Sequence, residues 1–141
     1  MIVLDTNVVS DSSRPRPHSS VQDWLRAQRQ TDLFVCTPVL AELSYGIERL
    51  PAGPRRSFLE TWLVRLETEG FPSRILTFDR RAAHEFGKIL HARTTRGRPI
   101  KTMDAIIAAI AKAEGAAVAT RDVDDFTDLG LELVNPFEFA R

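Results

Sequence analysis

The sequence predicts an α/β fold of three layers, with a mostly parallel central sheet of about five strands and helices on both faces. Three observations lead there. Five short apolar stretches alternate with segments of helical periodicity, as in strand–helix–strand units. Stretches rich in proline and glycine (SRPRPHSS, PAGP, TRGRP) punctuate the alternation. The first apolar stretch also ends on a carboxylate, Asp5, at the place where open parallel sheets build their sites.

Taken in order, MIVL (1–4) reads as a buried strand, and SRPRPHSS (13–20) as a loop, because Pro15 and Pro17 cannot continue a helix. VQDWLRAQR (21–29) is helical, LFVC (33–36) is the second strand, and VLAELSYGIERL (39–50) the next helix. PAGP (51–54) is too short for anything but an antiparallel turn into RRSFLETWLVRL (55–66). There Trp62, Phe58 and Leu66 form an i, i±4 stripe for core or interface. RILTF (74–78) is a third strand. Asp79 follows as the N-cap of RRAAHEFGKILHAR (80–93), on which His84 and His91 are surface residues rather than ligands. After the TRGRP loop comes MDAIIAAIAKAEG (103–115), with Gly115 as its C-cap. AAVAT (116–120) and LELV (131–134) complete the strands, and NPFEF is a docking tail.

The 141 residues fit one domain, 1–141, and 43% hydrophobic with 27% charged residues is ordinary for a globular chain. Nineteen basic and nineteen acidic side chains cancel, which excludes a bulk polycation that coats nucleic acid by net charge. Any such contact must be local. Cys36 is the sole cysteine, so no intrachain disulfide forms, and its place in LFVC makes it a core residue. Asp5 interrupts the N-terminal apolar run, so no signal peptide is expected, and AIIAAIA (105–111) is too short to span a bilayer. A cytoplasmic setting fits this composition.

A carboxylate at the end of a buried strand costs several kcal/mol unless something pairs with it. Asp122, two residues past AVAT, ends another strand, and the two acids meet if those strands are neighbours. Glu42 lies a turn into the helix after the second strand, among Leu40, Ala41 and Leu43, while Asp104 opens the apolar helix AIIAAIA. Four converging acids repel unless a cation joins them. An oxygen-only set without His or Cys suits a hard ion such as Mg²⁺. Asp104 can also be read as a helix-start residue and Asp122 as turn chemistry.

The order MIVLDTN, PVLAELSYGIERL, TMDAIIAAIA, AVATRDVDDF resembles the PIN-domain ribonucleases over essentially the whole chain. It is most similar to the toxins of bacterial VapBC-type toxin–antitoxin modules, including the FitB-like branch. The resemblance implies a PIN-like fold and a metal-dependent endoribonuclease acting on single-stranded RNA. Its catalytic and metal-binding acids would be Asp5, Glu42, Asp104 and Asp122, with Asp124 or Asp125 as substitutes for the fourth. Thr6, Asn7 and Thr120 would support them, and Mg²⁺ or Mn²⁺ would be the cofactor. Arg93, Arg96, Arg98, Lys101 and Arg121 are a local basic grip for RNA. A homodimer whose helices form a groove for a VapB-like antitoxin is implied, and the apolar 39–66 hairpin is its expected surface.

Two rivals remain at this level. A haloacid-dehalogenase-like phosphohydrolase also ends its first strand in Asp, but needs a second Asp two residues on, where this chain has Asn7. A non-catalytic PIN-like binding module would keep the acids without the reaction.

Overall fold

In the computed structural model, which describes residues 1–140, β1 (Ile2–Leu4) is the middle strand of a five-stranded sheet in the order β3-β2-β1-β4-β5. β2 is Leu33–Cys36, β3 Ile75–Leu76, β4 Ala117–Ala119 and β5 Leu133–Val134. All four pairings are parallel, with Val3 opposite Phe34 on one side and Val118 on the other. The chain runs outward from β1 to β2 and β3, then crosses back to β4 and β5. The direction therefore reverses between β1 and β4. At such a switch point the flanking connections diverge and leave a crevice beyond the strands' C-terminal ends. Asp5 and Asp122 follow these two strands.

Among the described residues six α-helices surround the sheet: α1 (Thr6–Asp11), α2 (Ser19–Ala27), α3 (Thr37–Glu48), α4 (Pro54–Arg65), α5 (Arg80–Thr95) and α6 (Thr102–Glu114). None among the described residues is long and apolar enough to cross a membrane. The core is built from Val3, Val35 and Val118 of the strands against Ile107, Ala108, Ile110 and Ala111 of α6. Alanines let α6 lie close to its neighbours, and α5 packs along it. Gly115 ends α6 in the left-handed conformation at φ 65°, which a side chain would strain. Asp79 caps α5 by accepting from Ala82 N at 2.9 Å.

The differences from expectation are local. α1 was not anticipated; six residues show too little periodicity, and its N-cap is Asp5 itself. α2 begins at Ser19, two residues earlier than its apolar pattern suggests. β3 shrinks from the expected 74–78 to two residues. The Arg74 carbonyl still accepts from Val35 N at 3.2 Å, while its guanidinium donates to the carbonyls of Gln30 (2.5 Å), Leu33 (2.6 Å) and Gly70 (2.8 Å). α4 continues through a π-type turn, Leu66–Gly70. On the α3–α4 hairpin, Trp62 and Leu66 pack against the core, whereas Tyr45 (66% exposed), Phe58 (53%) and Val64 face solvent. The stripe is thus split, and the free apolar surface is centred on Phe58 and Tyr45 rather than Trp62.

Candidate active site

A cleft of about 360 Å³ opens at the β1–β4 switch point, lined by Asp5, Thr6, Asn7, Ser10, Glu42, Lys101, Met103, Asp104, Asp122 and Asp125. All four acids singled out in the sequence line it. Each arrives by a different route: Asp5 and Asp122 from strand ends, Glu42 from the second turn of α3, and Asp104 as the third residue of α6.

Asp5 is 5% exposed and well satisfied. Its Oδ1 accepts from Thr6 N at 2.8 Å, which makes it the cap of α1, and its Oδ2 accepts from Thr120 Oγ1 at 2.7 Å. The buried Thr120 hydroxyl in turn accepts from Asp122 N at 3.0 Å, so one side chain ties the two strand ends together. Thr6 Oγ1 donates to Glu42 Oε1 at 2.6 Å. Asn7 Nδ2 donates to Asp122 Oδ2 at 3.1 Å and its Oδ1 accepts from Arg121 N at 3.2 Å. Asn7 is therefore a spacer for Asp122, not the proton-transferring acid that a dehalogenase-like site requires in that place.

The electrostatics follow from burial and from this proximity. Burial raises the Asp5 pKa; its bonds from Thr120 and Thr6 oppose this, and Glu42 and Asp122 reinforce it. Asp104 is pushed up to about 6, first by burial and then by Asp5, Asp125 and Glu42, with Lys101 pulling the other way. Asp104 lies in the first turn of α6, whose cap residue Lys101 makes no side-chain cap bond. Beneath the cluster, the Cys36 thiol is pushed up to about 12 by burial and by Asp5 and Glu42, so it stays protonated and supplies no soft ligand.

Asp125 joins the cleft and Asp124 does not. Asp122 caps the 3-10 turn Val123–Phe126 and accepts from Asp125 N at 3.0 Å through its carbonyl, so Asp125 stacks on it three residues on, while Asp124 turns into the adjoining hollow that these two acids also line. That spacing was the available signal.

The expected basic grip is broken up. Arg93 is 3% exposed, so it cannot meet a ligand. Its Nη1 donates to Arg98 O at 3.3 Å and its Nη2 to Asp125 O at 2.5 Å, bracing the turn that carries Asp122 and Asp125. Arg98 pairs with Asp128 Oδ2 at 3.0 Å, and Arg96 reaches the Asp128 carbonyl at 3.4 Å. Lys101 lines the cleft, and Arg121 is exposed beside Asp122. A larger hollow of about 440 Å³ lies elsewhere, around Gln22, Leu25, Phe71 and Arg74, and contains no acid.

Among the described residues no group of three or more Asp, Glu, His or Cys side chains is arranged to hold a metal ion together. The donor set nevertheless fits a hard divalent ion, which keeps several waters and takes only one or two carboxylates directly. The acidic donors are all carboxylates that repel one another, offset only in part by Lys101, and among the described residues neither imidazole nor thiolate lines the cleft.

Comparison with known proteins agrees with this geometry. The PIN domain family model matches residues 2–131. The "VapC ribonuclease Y4jK" of Sinorhizobium fredii is 39% identical over 99% of this chain and 100% of its own. The "Toxin FitB" of Neisseria gonorrhoeae is 35% identical over 97% and 99%. A solved structure of FitAB bound to an IR36 DNA fragment superposes with a TM-score of 0.92 at 33% identity, covering 100% of this chain and 99% of that one.

Proposed function

The chain belongs to the PIN-domain family, and from that premise we propose that it is a metal-dependent endoribonuclease, the toxin of a type II toxin–antitoxin pair. The observation that carries the proposal is the convergence of Asp5, Glu42, Asp104 and Asp122 in one cleft at the sheet's switch point. Its relatives named as a VapC ribonuclease and as toxin FitB support the same reading.

Asp5, Glu42, Asp104 and Asp122 would hold the ion, Mg²⁺ or alternatively Mn²⁺, with Asp125 within reach. Bound there, such an ion supplies an activated water and positive charge against the pentavalent phosphate. The protein's own residues set the geometry. Thr6, Asn7 and Thr120 each occupy one lone pair of a carboxylate and leave the others directed at the cleft. Burial first, and then the neighbouring acids, raise Asp5 and Asp104, and a bound cation would offset both. Among the described residues no serine–histidine or cysteine–histidine pair lines the cleft, so the arrangement favours attack by water over attack by a side chain.

Single-stranded RNA suits a site that is an open groove. We further expect a cytoplasmic protein and a homodimer in which the α3–α4 hairpin, with Tyr45 and Phe58 exposed, contributes both to the dimer interface and to the groove that seats an antitoxin. The test is cleavage of a 5′-labelled unstructured RNA by the purified chain without partner. Cleavage should stop in EDTA and return with Mg²⁺ or Mn²⁺. Cleavage undiminished in EDTA refutes the metal mechanism, and none under any condition favours the non-catalytic module.

A further inference from the structure

Beside the acid cleft stands a group of side chains that the cluster itself does not need. Asp11, the last residue of α1, is 1% exposed. Its Oδ1 lies 2.6 Å from His18 Nδ1, and its Oδ2 accepts from His18 N at 3.1 Å and Gln22 Nε2 at 3.5 Å. A carboxylate only accepts and a guanidinium only donates, so both contacts of the ring are satisfied together by the tautomer with its proton on Nδ1 and a lone pair on Nε2. That lone pair faces Arg121 Nη2 at 3.4 Å. The guanidinium lies over the Phe137 ring, with Cζ 3.8 Å from the centroid, and His18 meets the same ring edge-on at 5.2 Å and 72°.

The ring is itself fixed. Phe137 N donates to Asn135 Oδ1 at 3.0 Å, and Ser20 Oγ donates to the Phe137 carbonyl at 3.0 Å. The end of α1, the start of α2 and the C-terminal turn Pro136–Glu138 thus converge on one exposed arginine. A free surface arginine loses considerable rotamer entropy when it captures a ligand; here that loss is already incurred in folding. Among the described residues Arg121 makes no ion pair, whereas Arg98 is spent on Asp128. Through its backbone N, Asn7 and then Asp122, it is registered to the cleft by two hydrogen bonds.

We propose that Arg121 is a substrate-binding residue that holds a phosphate of the RNA strand beside the acid cleft. Asp11, His18 and Phe137 are positioning residues that act through it. The proposal rests on the endoribonuclease reading. It adds a second cation to Lys101 at the negative cleft: Arg121 borders a hollow that Asp122, Asp124, Asp125 and Glu138 also line, yet it is held by His18 and Phe137 and pairs with none of these acids among the described residues.

The test is fluorescence anisotropy of the full chain with a short labelled oligouridylate in EDTA, where no cleavage intervenes, at several salt concentrations. Arg121→Ala should weaken binding about tenfold, the size of one charge-assisted contact, and reduce the slope of log Kd against log salt by about 0.7, one phosphate contact on a single strand. Arg121→Lys should keep the slope and recover part of the affinity. His18→Gln and Phe137→Leu should each weaken binding less than Arg121→Ala. The double variant His18→Gln/Arg121→Ala should bind like Arg121→Ala alone, because a positioning residue has nothing left to position. Phe137→Leu leaves Asp11 and its donors intact, so it carries the test where His18→Gln impairs folding. In cleavage assays Arg121→Ala should raise KM and leave kcat within a fewfold.

Unchanged affinity and slope in Arg121→Ala, or additive effects in the double variant, would overturn the proposal. Its failure is separable from that of the nuclease reading. Active enzyme with unaltered KM in Arg121→Ala sinks the brace alone. Arginine-dependent RNA binding without cleavage sinks the nuclease reading alone.

Discussion

Replacing Asp104 by Asn should stabilise the metal-free protein. The substitution removes one charge at nearly constant shape from a site where burial, Asp5, Asp125 and Glu42 all disfavour ionisation. An Asp ordinarily titrates near 3.9, and each pKa unit is worth about 1.4 kcal/mol. A value of about 6 therefore sets a ceiling of roughly 3 kcal/mol on the penalty of ionising Asp104 in the fold. Asp104 is partly exposed and solvent screens its neighbours, which reduces the expected gain to about 1 kcal/mol. The sign follows from linkage. A carboxyl with a raised folded-state pKa favours the fold below its unfolded value and loses that contribution as pH rises through about 6. In EDTA, Asp104→Asn should thus melt about 3 °C above wild type at pH 7.5. The gap should close toward pH 4.5. With Mg²⁺ at ten times its Kd, wild type gains about 1.4 kcal/mol by mass action and the order should narrow or reverse. Melting curves at two pH values, with and without metal, decide it. A variant less stable than wild type in EDTA at pH 7.5, with no dependence on metal, would refute the reasoning and return Asp104 to a helix-start role.

Two other perturbations separate structure from function. Arg93→Met keeps the buried stem but strands the Arg98 and Asp125 carbonyls, and should destabilise by about 2 kcal/mol in urea melts, while the exposed Arg96→Ala stays within about 0.5 kcal/mol. An Arg93→Met variant of wild-type stability with weakened RNA binding would instead make Arg93 a ligand contact. Phe58→Ala should shift the chain toward monomer in light scattering, since Phe58 and not Trp62 is the exposed apolar tip; an unaltered dimer would remove the hairpin from the interface.

How much of this was legible in the sequence depends on the length of the local signal. LFVC is a continuous apolar run and β2 occupies it residue for residue, whereas β3 and β5, two residues each, are too short for any period to define. The acids could be placed because strand ends and helix starts are fixed by chain order, and a parallel sheet puts both kinds of terminus at one edge. Arg93 was misread because it belongs to a basic run, and such runs ordinarily face water. Its helical phase says otherwise: Ala82, Ile89 and Arg93 share the buried face of α5. The Asp11–His18–Arg121 chain could not be read at all, because it joins residues up to 110 apart through contacts that only the fold creates.

The chemistry of the cut ends tests the central claim most directly. Attack by water on the phosphodiester, as the acid cleft implies, leaves one fragment with a phosphate monoester and the other with a hydroxyl, and does not require the neighbouring 2′-hydroxyl. The purified chain with Mg²⁺ or Mn²⁺ should therefore release fragments free of 2′,3′-cyclic phosphate by mass spectrometry. It should still cut when the 2′-hydroxyl at the cleavage site is replaced by hydrogen. Asp5→Asn, folded to the same extent, should release none. Cyclic phosphate ends, or full cleavage by Asp5→Asn, would contradict the account.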